Sequence, residues 1–344
     1  MAGKYAKDQP AGFTNRIERV AIIGAGGHIG SHLTRALVAT GKHKVTALTR
    51  RESKNEIPSG TTKVYIDYGD PESIVSALQG QQFLILTLSV FGPAADTAAK
   101  VIAAAAKAGV PYVMPNGFGI DFSDDKFAEE ALLGVGVRAQ IKEVEDQGVS
   151  RWVALVCSFW YEHSLALGES WFGIDIDDRT VTFLDDGKTA INSSTWEQCG
   201  RAVAAYLSLP ELPADESDGG PTVSRWADRP LRISSFVVSQ RDMLDSLNRV
   251  LGTTDADWKI THEPTHERYQ KRLALMGEEG PNLVRAMIGA AYTRAFYPNG
   301  DGQYKDDNEA IGLKDEDIDD ATRSALALLK SGYKASVFKG AGLL

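Results

Sequence analysis

The chain has 344 residues, enough for one large domain or two smaller ones. Its net charge of −9 argues against a broad phosphate-binding surface, so we expect no direct contact with nucleic acid. No apolar stretch approaches the roughly 20 residues of a membrane span, and the first residues lack an apolar signal core. We therefore expect a cytoplasmic protein that does not enter a membrane.

Residues 1–17 are predicted to form a flexible arm, after which strand and helix patterns alternate. The predicted strands cover residues 19–23, 44–49, 62–66, 83–88, 111–115 and 151–157. The predicted helices follow Gly30, begin at Asp70-Pro71, end at Gly109, and lie near 127–147. Regular alternation of this kind predicts an α/β domain with a doubly wound parallel sheet and helices on both faces.

This regular pattern ends after residue 158. Residues 180–191 resemble a β-hairpin, and the sequence indicates several separate helices. These helices are expected near 195–208, 239–251, 265–276, 281–296 and 317–330. We predict a smaller α+β lobe that packs over one end of the sheet, and the prediction leaves open that some of its segments return to the sheet.

A glycine loop connects the first strand to the first helix. Gly24 allows a tight turn, Gly27 lets the backbone approach a pyrophosphate, and Gly30 lets the helix pack close to the strand. The helix start then offers unpaired N–H groups and a partial positive charge to the phosphates. His28 and Ile29 lie inside this loop, with His28 expected to shape it near the pyrophosphate. The alternative is a turn with a structural role only.

The residues after the second strand bear on the choice of cofactor. Proteins that bind NAD usually place an acid here for the ribose 2′-hydroxyl, whereas this chain carries Arg50, Arg51 and Lys54. Arginine binds a phosphate through two parallel hydrogen bonds, so the sequence favours NADPH/NADP⁺. Solvated loop arginines are the alternative interpretation.

These features resemble the NmrA-like, atypical short-chain dehydrogenases, in particular the branch of isoflavone reductases and phenylcoumaran benzylic ether reductases. The resemblance covers about residues 17–275 and includes "MPNGFGID" at 114–121. It implies a Rossmann-type, NADP-binding domain over residues 18–157 and a C-terminal substrate lobe over 158–344. It also implies further cofactor contacts at Thr87, Ser89, Asn116 and Phe118.

One position departs from this family. Its reductases carry a lysine as general acid–base where this chain has Arg138. Arginine does not give up its proton in a protein, although it can stabilise a developing oxyanion. Lys142, one helical turn further on, is either a substitute or a solvated surface residue. Tyr161 and His163 are the other candidate proton donors.

An aromatic run follows the sixth strand at its carboxyl end, where open α/β sheets bind ligands. Phe159, Trp160 and Tyr161 are expected to form a wall for an aromatic substrate or to pack between the lobes. Together with the resemblance, they predict an NADPH-dependent reductase of a small, aromatic or polyketide-like metabolite, active as a monomer or homodimer. The alternatives are a catalytically inactive NADP(H)-sensing regulator of the NmrA type and epimerase or lyase chemistry.

The letters "HEPTH" over residues 262–266 match the zinc-protease pattern His-Glu-x-x-His. That pattern needs both histidines on one helix face, and Pro264 lies between His262 and His266, where it disrupts a helix. We therefore predict no metal site here. The two histidines are alternative contacts for the substrate.

Overall fold

The computed structural model of the protein describes residues 4–88, 94–277 and 281–340. Strands and helices alternate in its first half. In chain order they are β1 (Arg19–Ile23), α1 (His28–Ala39), β2 (Lys44–Thr49), β3 (Thr62–Tyr65), α2 (Pro71–Leu78), β4 (Phe83–Leu86), α3 (Ala94–Ala108), β5 (Tyr112–Met114), α4 (Asp125–Glu130), α5 (Gly134–Gln147) and β6 (Arg151–Val156). The six predicted strands are confirmed to within two residues at each end.

The second half contains shorter strands and several helices. They are β7 (Phe159–Trp160), α6 (Tyr161–Leu167), α7 (Glu169–Phe172), β8 (Ile174–Asp175), β9 (Thr180–Leu184), β10 (Ala190–Ser194), α8 (Trp196–Leu207), β11 (Arg229–Arg232), β12 (Phe236–Ser239), α9 (Gln240–Leu251), β13 (Lys259–Glu263), α10 (Thr265–Ala274), α11 (Pro281–Ala295), α12 (Ile318–Lys330) and α13 (Tyr333–Gly340). The five helices predicted for this half are all present. In the described ranges, no helix is long and apolar enough to cross a membrane.

Seven parallel strands form the central sheet in the order β11-β6-β5-β4-β1-β2-β3. Strands β1 to β6 have the order of a Rossmann fold. In this order β2 and β3 lie on one side of β1, and β4, β5 and β6 lie on its other side. The seventh comes from the second half, since β11 pairs with β6 and places Leu231 opposite Leu155. The predicted Rossmann-type sheet is confirmed, and one segment of the C-terminal half does return to it.

The two faces of this sheet bury separate cores. Ile22 packs on the side of α1 and α8, where it joins Leu33 and Val203. Ile23, the next residue of the same strand, packs on the other side with Val101 of α3. Because side chains alternate along a strand, β1 has an apolar residue at nearly every position and feeds both cores.

The start of α2 has the predicted cap. The Asp70 side chain accepts the backbone N–H of Glu72 at 3.1 Å, and Pro71 occupies the first helical position. A proline is tolerated there because its missing N–H would have no partner inside the helix.

The hairpin expected over residues 180–191 is wrong. β9 pairs with β8 and β13, whereas β10 pairs with β12 and β7 in a different sheet. Asp185, at the end of β9, has a left-handed φ of 52° and accepts hydrogen bonds from the N–H and hydroxyl of Thr265. β9 therefore pairs with the preceding strand β8 and the distant strand β13, and not with β10.

The single helix expected near 127–147 is also wrong, because the chain forms α4 and α5 instead. Leu132, between them, has a left-handed φ of 61°, which interrupts the helix. A Cβ at Gly134, the first residue of α5, would lie 2.4 Å from the Ala128 side chain. The two helices therefore pack too closely for a larger residue at this corner.

The described part of the N-terminal arm lies against the loop after α8. The side chain of Asn15 exchanges two hydrogen bonds with the backbone of Leu212, at 2.8 and 2.7 Å. The backbone N–H of Ala6 donates to the Pro213 carbonyl at 2.8 Å. These contacts hold residues 6–15 against the body of the protein.

Candidate cofactor site

The turn between β1 and α1 excludes side chains at two of its glycines. Gly24 has a φ of +82°, and a Cβ there would lie 2.1 Å from the Thr87 carbonyl oxygen. A Cβ at Gly30 would lie 2.1 Å from the Gly24 carbonyl oxygen and 2.6 Å from Thr87 Oγ1. Thr87 itself is held at the end of β4, because its hydroxyl donates to the Ile23 carbonyl at 2.7 Å. The turn is thus pressed against the neighbouring strand.

The helix α1 begins without a side-chain cap. Its N-cap residue is Gly27, which has an extended backbone and no side chain to accept the first N–H groups. An N-terminus of this kind offers those N–H groups and the positive end of the helix dipole to a ligand. The cradle that the glycines keep open therefore fits a pyrophosphate group.

The basic residues after β2 lie on the surface. Arg50 is 54% exposed in its side chain, and its Nε lies 3.5 Å from Glu52 Oε1. The guanidinium of Arg51 lies over the Tyr65 ring, 4.8 Å from its centroid, and Lys54 is exposed. The three cations stand at the same edge of the sheet as the glycine loop, one strand further on.

Gly26 is a site residue that the spacing of the other three glycines did not reveal. A Cβ at this position would lie 2.5 Å from the Glu56 carbonyl oxygen. The loop that follows β2 therefore closes directly onto the glycine loop. The sequence did contain a signal for it. Gly26 and Gly27 are adjacent, and the predicted roles of the loop glycines account only for Gly27.

Asn116 is fixed at the carboxyl end of β5. Its Nδ2 donates to the Leu88 carbonyl at 2.9 Å, and its backbone N–H donates to Gln140 Oε1 at 2.9 Å. Phe118, two residues on, is half-buried against the core of the α1 face. Both stand at the sheet edge where ligands bind in this fold. Ser89, the remaining predicted cofactor contact, lies outside the described residues.

Arg138 and Lys142 are both occupied on α5. The Arg138 guanidinium donates to the Phe122 carbonyl, with Nε at 3.0 Å, and forms an ion pair with Asp125 at 2.7 Å. Lys142 is exposed and pairs with Asp146 at 2.7 Å, a contact that raises the pKa of Lys142. The geometry places Lys142 as a solvated surface residue, the second of the two alternatives that the sequence left open.

The face of α5 that meets the cofactor edge carries other residues. Gln140 binds the backbone of Asn116, and the side chain of Val137 lies 2.2 Å from where a Cβ on Gly117 would be. Arg138 is directed instead toward the start of α4, where it contacts Phe122 and Asp125. Its placement is that of a residue that holds the start of α4 against α5.

Two members of the aromatic run are core residues, which agrees with the packing alternative and not with a substrate wall or, for Tyr161, a proton donor. Tyr161 is fully buried, and its hydroxyl lies 2.9 Å from Thr322 Oγ1 of α12. Phe159 is buried as well and stacks on Tyr292 with 3.8 Å between ring centroids. Neither side chain forms the wall of a cleft or stands where it could give a proton to a substrate. Trp160 remains partly exposed.

The third candidate proton donor, His163, belongs to an aromatic cluster. Its Nδ1 lies 2.8 Å from the Tyr333 hydroxyl, and its ring contacts Trp160 and Trp196. Burial, with a smaller effect of His28, holds the pKa of His163 well below its usual value. The imidazole is therefore neutral at pH 7, so one ring nitrogen donates a hydrogen bond and the other accepts one.

This His163 cluster, which consists of His28, Trp160, His163, Trp196 and Tyr333, adjoins the glycine loop. The centroid of the His28 ring lies 5.1 Å from that of Tyr333 and 5.9 Å from that of Trp196. His28 is the first residue of α1, so the cluster borders the cradle for the pyrophosphate. Tyr333 begins α13, a helix that the sequence did not predict, and no local pattern marked it.

The "HEPTH" segment does not form the helix that a zinc-protease site needs. His262 lies on β13, Pro264 precedes the first residue of α10, and His266 lies on that helix. His262 Nδ1 contacts the Asp185 carbonyl at 2.8 Å, and the His266 ring packs on Tyr297. Across the described ranges, no group of three histidine, cysteine, aspartate or glutamate side chains is arranged to hold a metal ion.

The fold and the glycine cradle define a dinucleotide-binding domain of the Rossmann class. Residues 24–154 match the sequence model of the NAD(P)H-binding family, so this part of the chain is an NAD(P)H-binding domain. The predicted use of a nicotinamide dinucleotide is confirmed.

Over its whole length the chain is similar to oxidoreductases. It is 27% identical over 317 residues to the oxidoreductase aprR of Aspergillus flavus, a match that covers 90% of this chain and 98% of that protein. The structure of the NADPH-dependent quinone oxidoreductase QOR2 of Escherichia coli, complexed with NADPH, aligns with a TM-score of 0.64 at 20% identity, covering 90% and 99% of the two chains.

The structure of pinoresinol-lariciresinol and phenylcoumaran benzylic ether reductases aligns with a TM-score of 0.67 at 15% identity, covering 91% of this chain and 98% of that one. At this level of identity the likeness shows the fold alone. The Rossmann-type fold that the resemblance implied is confirmed by these comparisons.

Proposed function

We propose that the protein is an NADPH-dependent reductase of a small, aromatic or polyketide-like metabolite. The observation that carries this proposal is the open, uncapped start of α1, where Gly24 and Gly30 exclude side chains. The near full-length match to a fungal oxidoreductase supports a redox role, and the comparisons lend no support to an inactive regulator. The bound cofactor supplies the hydride, while this chain binds, orients and handles protons.

The surface after β2 supports NADPH over NADH. Arg50 and Lys54 are exposed at the sheet edge, and one acid of this loop, Glu52, lies beside Arg50 at 3.5 Å. A 2′-phosphate carries more charge than this carboxylate and accepts two hydrogen bonds from one guanidinium, so it competes well for Arg50. NADH offers only a hydroxyl at the same place.

The proton that accompanies the hydride comes, in this proposal, from the pair Tyr333 and His163. The Tyr333 hydroxyl gives its proton to the substrate oxygen and takes another from His163 Nδ1, while His163 Nε2 takes up a proton from solvent, so the imidazole stays neutral. Their contact at 2.8 Å and the proximity of His28 support this role. The other candidates are committed elsewhere, since Lys142 pairs with Asp146 and Tyr161 is in the core.

A turnover assay tests the proposal. Loss of NADPH absorbance is followed with a panel of aromatic enones, benzylic ethers and quinones. Tyr333→Phe and His163→Asn should lower kcat about 10²–10⁴-fold on the best substrate and leave the NADPH affinity nearly unchanged. Tyr161→Phe is the matched control, because it removes a tyrosine hydroxyl that lies in the core.

Two results would count against this account. A fall in kcat as large in Tyr161→Phe as in Tyr333→Phe would show that losing a hydroxyl group lowers kcat by disturbing the fold and not by removing a proton donor. No turnover across the panel, together with a partner protein whose binding depends on NADP⁺ versus NADPH, would replace the reductase by a sensor.

A further inference from the structure

Glu162, in α6, is a buried carboxylate with only one of its oxygens engaged. The residue is 6% exposed, and its Oε1 accepts the backbone N–H of Trp196 at 2.8 Å. Its Oε2 is enclosed and meets no hydrogen-bond donor among the residues that the structure describes. Burial raises the pKa of Glu162 to about 7. A buried carboxylate is stabilised by donors on both oxygens or by a positive charge, so this side chain lacks a partner.

Glu162 lines a cavity of about 700 Å³ between α8 and the segment that leads into α12. Acidic side chains dominate its lining. They are Glu162, Glu197, Asp315, Glu316, Asp317 and Asp320, against the basic Arg201 and Lys314. The excess of negative charge favours a cationic ligand.

Several of these acids already have partners. Glu197 lies 3.0 Å from a histidine of α1, Glu316 pairs with Arg201 at 2.5 Å, Asp320 pairs with Arg323, and Asp317 caps α12 through two backbone N–H groups. Glu162 Oε2 differs from them because it is both buried and unpartnered. Glu162 is the buried acid of the lining, and the exposed carboxylates of Asp315 and Asp320 form the rim of the cavity.

The spacing of the carboxylates argues against a metal ion. Within the described part of the chain, no three ligating side chains converge as a metal would require. A cation whose charges are spread along a chain can pair with both the buried acid and the acids of the rim. A primary ammonium group donates three hydrogen bonds, so one end of such a ligand satisfies Glu162 Oε2.

We propose that this cavity binds a linear diamine or polyamine, with one terminal ammonium group on Glu162 and the others facing Asp315 and Asp320. The cavity lining contains no residue of the glycine loop, and binding there does not depend on the proposed reductase activity.

Calorimetric titration of the full-length protein with spermidine, at near-physiological salt, tests the proposal. We expect saturable binding of one spermidine per chain. Glu162→Gln retains the shape of the side chain and removes its charge, so it should weaken binding about tenfold or more. Asp315→Asn combined with Asp320→Asn should weaken binding to a smaller extent, and Glu129→Gln, an exposed acid on α4, should leave it unchanged.

The contrary results are distinct. Affinity that is equal in Glu162→Gln and the unmutated protein, or many spermidines bound per chain in every variant, would mean diffuse attraction to a protein of net charge −9 and overturn the proposal. No saturable binding, or displacement of spermidine by stoichiometric Mg²⁺, would overturn it as well. If Glu162→Gln does not fold, by circular dichroism, the rim variant decides: unchanged affinity there refutes the site.

Discussion

Replacement of Gly24 by alanine should damage both stability and cofactor binding. The residue has a φ of +82°, and left-handed backbone costs a non-glycine residue about 1–2 kcal/mol. The new Cβ would also lie 2.1 Å from the Thr87 carbonyl oxygen, a backbone atom that cannot rotate away. Overpacking of this kind costs about 1–3 kcal/mol more. The total loss in the free energy of unfolding is therefore expected at about 2–5 kcal/mol.

Gly109→Ala is the matched control. Gly109 has a φ of +74°, yet no atom lies within 4 Å of the position that its Cβ would take. It should lose only the backbone cost, about 1–2 kcal/mol, and bind NADPH as the unmutated protein does. Urea denaturation and NADPH titration measure both effects. Equal destabilisation in the two variants, or unchanged NADPH affinity in Gly24→Ala, would refute the close approach of the turn to β4.

Three further predictions concern single side chains. Lys142→Ala removes an exposed pair with Asp146 and should change the free energy of unfolding by at most about 0.5 kcal/mol, with NADPH affinity and any turnover unaffected. Tyr161→Phe should cost about 0.5–1.5 kcal/mol in urea denaturation, because Thr322 loses a partner. The pKa of Glu162, about 7 when folded and 4.5 as the ordinary value, means that the folded state holds the proton more tightly. Its contribution to stability should thus fall from pH 4.5 to 7 and level off above, and Glu162→Gln should remove that fall.

The Rossmann half of the chain could be predicted from the sequence because its signals are local. β1 and β2 match the expected ranges, since apolar runs bounded by turns specify buried strands. The glycine loop could also be predicted, because its spacing follows from the lack of room for a side chain at Gly24 and Gly30. Each of these features depends on residues close together in the chain.

The second half and the proton-handling groups could not be predicted in the same way. β9 takes its partner β13 from about 80 residues away, and no local pattern encodes that choice. Likewise, His163 contacts Tyr333, which is 170 residues away in the chain. Tyr333 lies on α13, a helix with no strong amphipathic pattern. Tyr161 looked like a cleft residue in sequence, but its direction depends on where α12 packs. These contacts arise from tertiary packing.

The choice of cofactor is the most direct test of the proposed function. NADPH and NADH are titrated into the unmutated protein, into Arg50→Ala, and into Arg323→Ala, a control whose side chain is 59% exposed against 54% for Arg50. A charge-assisted contact is worth about 1.5–3 kcal/mol, so the account predicts that NADPH binds at least about tenfold more tightly than NADH. Arg50→Ala should remove most of that difference and Arg323→Ala none of it. Equal affinity of the unmutated protein for the two cofactors would contradict the account.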